Sequence, residues 1–284
     1  MDYEKEVLRK LQLTELEMLK DIDRFCKEYQ IEYFIAYGTA LGAVRHGGFI
    51  PWDDDIDICM KRTEYNKFLK LAKKNMKEKY DILTIQETPG YISTFAKVSK
   101  KGTRFVEETN TNKKYQQGIF IDVFPYDYAP DDINQRKKIF KKAWLWVRVC
   151  MLCEISNPII PQNIKGLKRT IAITGCKAVH LFLKIIRFDK KKAYHHYLEY
   201  ATMYNKKGGE IYLSDYEDIS PERTTLLETD IFPTKTIQFE DYEFPIPNNI
   251  DAHLKKVYGD YMTLPPIEQR HNHVAKVLIF GDEN

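Results

Sequence analysis

The sequence predicts an α+β protein, a mixed sheet with flanking helices and a helical insertion. Three observations carry that prediction. Up to about residue 130, one long helical pattern is followed by a series of apolar strand segments with little helix between them. Residues 132–206 then read as wholly helical. Beyond them, residues 207–247 return to short strands and turns rich in Pro, Asp and aromatics.

Taken in order, Val7, Leu8, Leu11, Leu16, Leu19, Ile22 and Phe25 recur at helical spacing and predict a helix over 4–29. IEYFIA at 31–36 reads as a buried strand. YGTALGAVRHGG follows with glycines near both ends, room for a short helix between two turns. DIDICM at 55–60 predicts a strand, and residues 61–79 a helix with Thr63 as its cap. Strands are then expected at DILTIQ, ISTFAKVS and TRFVEE. GIFIDVF at 118–124 is almost entirely apolar, which predicts a central strand. Residues 249–258 read as a last helix. Three regions result: a core over 1–130, a basic helical insertion over 131–206 and a part over 207–284 that completes the core.

A chain of 284 residues with 43% hydrophobic and 30% charged residues is ordinary for a folded domain and argues against disorder. The five cysteines make no even framework, which fits a reducing cytoplasm. Cys150 and Cys153 form a C-x-x-C inside a helical pattern, with no second pair at zinc spacing, and are read as core thiols. The first residues, MDYEKEVLRKLQL, carry no secretory apolar core, and no window reaches the roughly 20 apolar residues of a membrane span. A cytoplasmic protein is expected. Charge is uneven: fifteen Lys/Arg face four Asp/Glu over 131–192, a net +11 that leaves −8 for the rest of a chain whose total is +3.

The acid is concentrated in GGFIPWDDDID at 47–57, where Asp53, Asp54, Asp55 and Asp57 occupy four of five positions. On a strand, alternate residues share a face, so Asp53, Asp55 and Asp57 would line a cleft while Ile56 and Ile58 enter the core. Carboxylates two residues apart lie roughly 6.5–7 Å apart along a strand and can both reach a hard cation. A divalent ion relieves their repulsion. Asp122 interrupts the apolar GIFIDVF, where a lone buried carboxylate would be costly, and would complete a three-carboxylate site. An EF-hand loop is the wrong reading, because its turn needs Gly where Ile58 stands. A solvated acidic turn and a D-x-D glycosyltransferase stay open on these residues.

YFIAYGTALGAVRHGGFIPWDDDIDICM at 33–60 resembles the signature of the LicD family, bacterial phosphocholine transferases related to fukutin-type phosphoribitol transferases. GIFIDVFPYD at 118–127, FEDYEFPIP at 239–247 and YGDYMTLPPIEQRHNH at 258–273 resemble its further blocks, in the same order. The resemblance implies a nucleotidyltransferase-like fold, a CDP-alcohol donor such as CDP-choline, Mg²⁺ (with Mn²⁺ the alternative) and a sugar hydroxyl on a lipid-linked glycan precursor as acceptor. It implies Asp55, Asp57 and Asp122 as metal-binding and catalytic residues, Asp122 being either a ligand or the base. Gly38 and Thr39 match the family's phosphate turn, with Asp53 supporting the acidic pair. Arg45, His46, Lys97, Arg104, Arg270, His271 and His273 are candidates to meet the donor. Choline's quaternary ammonium has no proton to donate and needs aromatic faces, for which Trp52, Tyr37 and Tyr126 are candidates. Ribitol, glycerol or ethanolamine donors and a scaffold without activity are the rival readings. The basic helical segment, with Trp, Leu, Ile and Phe among its lysines, suggests a peripheral place on an anionic membrane surface at the inner face of the plasma membrane. No nucleic-acid-binding module is recognisable, and nucleic acid is not expected as a partner.

Overall fold

The computed structural model describes residues 3–107, 115–158, 165–206, 209, 211–217, 220–270, 272 and 274–281. Helix α1 (Lys5–Glu28) buries Leu11, Leu16, Leu19 and Ile22 along one stripe, as their spacing requires. Strand β1 (Phe34–Ile35) is shorter than its apolar run, because α2 (Tyr37–His46) starts almost at once. Strand β2 (Asp57–Lys61) begins two residues later than expected and leads directly into α3 (Arg62–Asn75). Lys61, not Thr63, stands at the N-cap of α3. Strands β3 (Tyr80–Leu83), β4 (Ala96–Lys100), β5 (Arg104–Glu107) and β6 (Phe120–Ala129) follow.

The main sheet has the order β1-β2-β6-β4-β3. Its β2–β6 pairing is parallel and the neighbouring pairings are antiparallel, so the sheet is mixed. The apolar β6 is central, as its composition predicts. Its far half pairs with β7 (Tyr212–Ser214), which pairs with β8 (Leu226–Leu227). Strand β5 leaves this sheet and joins β11 (Ala275–Ile279) in a separate pair, while β9 (Lys235–Phe239) and β10 (Tyr242–Ile246) form a hairpin.

Between β6 and β7 the chain makes its helical excursion, α4 (Ile133–Glu154), α5 (Gly166–Ile185) and α6 (Lys190–Ala201). Two short helices, α7 (Pro221–Thr224) and α8 (Glu228–Ile231), precede α9 (Ile250–Tyr258). One buried cluster packs α1, α2, α3 and the β9–β10 hairpin on the sheet through Leu19, Phe68, Ile58, Ile121 and Phe244. A second joins α4 to α6 through Phe140, Tyr194 and Tyr197. Cys150 and Cys153 lie at that second cluster, and burial pushes their thiols up to about 12 and about 11. Both therefore stay protonated and unreactive at neutral pH.

Candidate active site

The acidic segment is clamped before it reaches the sheet. From α1, Gln12 donates its amide to the Asp53 carbonyl at 2.9 Å, and the Asp53 N–H donates to the Ile50 carbonyl at 2.9 Å. Glu240, at the β9–β10 turn, accepts the Phe49 N–H at 3.2 Å and is held by Arg9 at 2.6 Å. A Cβ on Gly42 would sit 2.4 Å from the Gly48 carbonyl oxygen, so only glycine lets α2 pass this close to the loop. The alternation along the segment is as the sequence predicts. Asp54, Ile56 and Ile58 are buried, while Asp53, Asp55 and Asp57 are half-buried.

Register then assembles the centre. Asp57 on β2 stands opposite Asp122 on β6, and Lys97 on β4 stands opposite Asp122 from the other side. Neighbouring residues at one register level point to the same face, so the three form a row across the sheet. Lys97 Nζ lies 3.0 Å from Asp122 Oδ1 and over the Phe120 ring at 3.2 Å. Burial raises the Asp57 carboxyl well above its usual range, and Asp55, Asp122 and Asp53 add to it. Burial also raises Asp122, to about 6, against the opposing pull of Lys97. Thr39 is buried and its Oγ1 accepts the Asp57 N–H at 2.9 Å, so it fixes the acidic strand. Gly38 makes room for Asp53, whose Oδ2 lies 2.8 Å from where a Cβ would be.

A basic and aromatic rim adjoins the acids. Arg45 donates to the Tyr261 carbonyl at 2.8 Å and to His46 Nε2 at 3.1 Å. The Arg270 guanidinium covers Trp52 at 4.7 Å, and His46 meets the edge of the same ring at 6.4 Å. Asp53 and Arg270 both act electrostatically on Arg45, which puts the cluster beside the acidic segment. Two of the candidates stand apart from this row and rim. Arg104 is exposed on β5, outside the main sheet. Tyr126 is 1% exposed in the core against Phe34 and cannot offer a face to a ligand. His271 and His273 lie outside the described residues.

Glu15, Tyr258, Asp215 and Glu217 adjoin the site although the sequence did not single them out. Glu15 of α1 is 1% exposed, and Asp55 and Asp54 add to the rise that burial imposes on its carboxyl. The Tyr258 hydroxyl is raised by burial and then by Asp57, Asp53 and Asp55. On the other flank, Tyr37 donates to Asp215 at 3.2 Å. Its ring meets Phe124 at 5.5 Å, and Phe124 meets Phe95 at 4.3 Å. Glu217, next to Asp215, is pushed up to about 8 by burial and that neighbour. Tyr258 sits in a quoted sequence block and could have been found there; Glu15 reads only as one more residue of a helix.

Among the described residues, no three His, Cys, Asp or Glu side chains converge as a ready metal cluster. The donor set nevertheless fits a hard cation. Mg²⁺ takes oxygen ligands, and one or two carboxylates together with substrate phosphates suffice to hold it. Half-buried Asp57 and buried Asp122 stand side by side with raised proton affinity, so a further cation would relieve the repulsion that Lys97 offsets only at Asp122.

Residues 30–153 match the sequence model described as LicD/FKTN/FKRP, nucleotidyltransferase domain. This part of the chain, from the first strand of the sheet into its helical excursion, is therefore similar to LicD-type domains. It is 28% identical to the lipopolysaccharide cholinephosphotransferase LicD of Haemophilus influenzae, over 96% of this chain and 98% of that one. Shorter matches, 44% identical over 52 residues and 48% over 46, relate it to uncharacterised proteins of Rickettsia typhi and Rickettsia prowazekii, across about a sixth of each relative's length. The LicD-type match runs from β1 into α4 and contains Asp55, Asp57, Lys97 and Asp122. Glu15, Asp215, Tyr258 and Arg270 come from outside it, so the rest of the chain contributes to the site.

Proposed function

We propose that this protein transfers phosphocholine from CDP-choline to a sugar hydroxyl of a cell-surface glycan precursor of the lipopolysaccharide or teichoic acid type, in the cytoplasm. One observation carries the reading: in a chain similar to LicD-type domains, the register of β2 on β6 sets Asp57 beside Asp122 in an acidic cleft. The nearly full-length likeness to a cholinephosphotransferase supports it.

In this reaction the acceptor hydroxyl attacks the phosphorus bearing choline, the bond to the bridging oxygen breaks, and CMP leaves with the electron pair. Such transfer needs positioning and charge neutralisation more than covalent help. Asp55, Asp57 and Asp122 would hold Mg²⁺, which when bound neutralises the diphosphate and stabilises the leaving oxygen. Thr39 and Gln12 keep the acidic strand and its loop in register. Lys97 balances Asp122 until the donor arrives and is then available to a phosphate oxygen. Asp122, poised at about 6, is also suited to accept the hydroxyl proton. Arg45 and Arg270 at the rim suit the CMP phosphate. For the trimethylammonium group we assign Tyr37, Phe124 and Phe95, partly open aromatic faces next to Asp215, in preference to the buried Tyr126 and the covered Trp52.

The test is incubation with CDP-choline, CDP-ribitol or UDP-glucose, with and without a chelator, reading CMP or UDP release. CMP released from CDP-choline alone, and stopped by the chelator, is expected. Preference for CDP-ribitol would transfer the chemistry to another alcohol, and UDP release would overturn the reading.

A further inference from the structure

Helix α5 is solvent-facing nearly all round, although much of it is apolar. Of its 20 residues only His180 and Leu183 are buried, and none belongs to the three buried apolar clusters. His180 fixes it to α4 by a 2.7 Å bond between Nδ1 and the Leu152 carbonyl. At about 100° of turn per residue, Leu167, Ile171, Leu181, Phe182 and Ile185 fall in one arc opposite His180 and Leu183. Those five are between 58% and 76% exposed. So α5 has two apolar sides, and the larger one faces outward.

An outward arc of this kind, with Thr174 and Ala178 between its two apolar ends, marks a docking surface. Its surroundings say what docks. Lys177 and Lys184 border the stripe on one side and Lys168 on the other, all exposed. From 165 to 192 the chain carries nine Lys/Arg and one Asp or Glu. A second copy would bring the same cations against these and be repelled, whereas anionic headgroups complement them. Among the described residues, no helix is long and apolar enough to cross a membrane.

We propose that α5 lies in the headgroup layer of an anionic bilayer, its Leu167–Ile185 stripe inserted and its lysines reaching up to lipid phosphates. The shape is that of an interfacial helix, apolar on one side and cationic at the borders. Nothing in the proposal depends on which alcohol is transferred.

The test uses the full chain with sedimented vesicles of phosphatidylcholine alone, or of phosphatidylcholine mixed with phosphatidylglycerol, at low salt. Wild type is expected to bind the mixed vesicles and to bind the neutral ones far less. Lys177→Gln with Lys184→Gln should weaken binding about fivefold per lysine, from about 1 kcal/mol per basic residue at such a surface. Leu181→Ser, Phe182→Ser and Ile185→Ser together should weaken it at least tenfold, with an unchanged circular-dichroism melt because all three side chains are exposed. The proposal is overturned if wild type binds neither vesicle, or if the triple variant binds as wild type does. It is equally overturned if light scattering finds a dimer that the triple variant splits and that does not bind vesicles.

Discussion

Asp57 is a residue whose position is costly to the fold. Burial and three acidic neighbours raise its carboxyl, so at neutral pH the folded chain must either hold an extra proton or bear the repulsion. Asp57→Asn keeps the shape and removes that cost. CMP release should fall below detection while the melting temperature rises by ~2–4 °C, as for ~1 kcal/mol in a chain of this size. Full turnover by this variant would sink the role assigned to the carboxylate. Tyr37 shows a related strain, with φ at 46° although it is not glycine. Its N–H is held by His253 Nε2 at 3.3 Å. His253 is 1% exposed, and burial lowers it from 6.5 to about 4. The unfolded chain therefore binds its proton first, so this histidine's contribution to stability is complete above about pH 6.5 and is lost as pH falls toward 4. Between pH 7 and pH 5 the loss should be ~2 kcal/mol by urea unfolding. His253→Gln, which keeps an acceptor for Tyr37, should flatten that dependence; an unchanged slope would refute the account.

At the scale of elements, the buried ion pair of Arg62 with Asp127 joins α3 to β6. Arg62 is the first residue of α3. Its Nε and Nη2 donate to the two oxygens of Asp127 at 2.9 and 2.5 Å, and Asn205 donates to the same carboxylate at 2.6 Å. A strand, a helix and the chain just beyond α6 thus meet on one charge, about five residues along β6 from Asp122. Removing the cation alone strands a buried carboxylate. Arg62→Met should cost ~3–5 kcal/mol in chemical denaturation, and adding Asp127→Leu should restore much of it. A cost under ~1 kcal/mol for the single change would mean that the pair is not coupled to folding. None of this was legible beforehand. Arg62 reads as an ordinary helix-start residue, and its partner is 65 positions away.

At the scale of the whole molecule, a cleft that gathers acid without a preformed cation cluster should be stabilised by its ligands together. Mg²⁺ and CDP-choline added jointly should stabilise the fold more than either alone, by roughly 2.7 kcal/mol at a hundredfold excess over Kd, read as a higher melting temperature. Asp57→Asn should abolish the joint effect, and a shift of equal size in that variant would count against the site. Much of the architecture was open to reading from sequence. Local patterns determined the α+β layout, the extent of α1, the central place of β6 and the split of the DDDID aspartates into buried and cleft-facing sets, because helix and strand periods are local properties of the chain. The family signature likewise lies in contiguous blocks. What needed the tertiary structure was everything set by pairing across long separations. The registers of β2 on β6 and of β4 on β6 put Asp57, Asp122 and Lys97 in one row. The departure of β5 to β11 removed Arg104 from the sheet's face. The packing of α1 brought Glu15 to the acids, and among the described residues α5 keeps its Leu167–Ile185 stripe exposed. Sequence fixes which faces are apolar or acidic, because that follows from spacing alone. Which face meets which depends on contacts between distant parts of the chain, and those form only when the whole core closes.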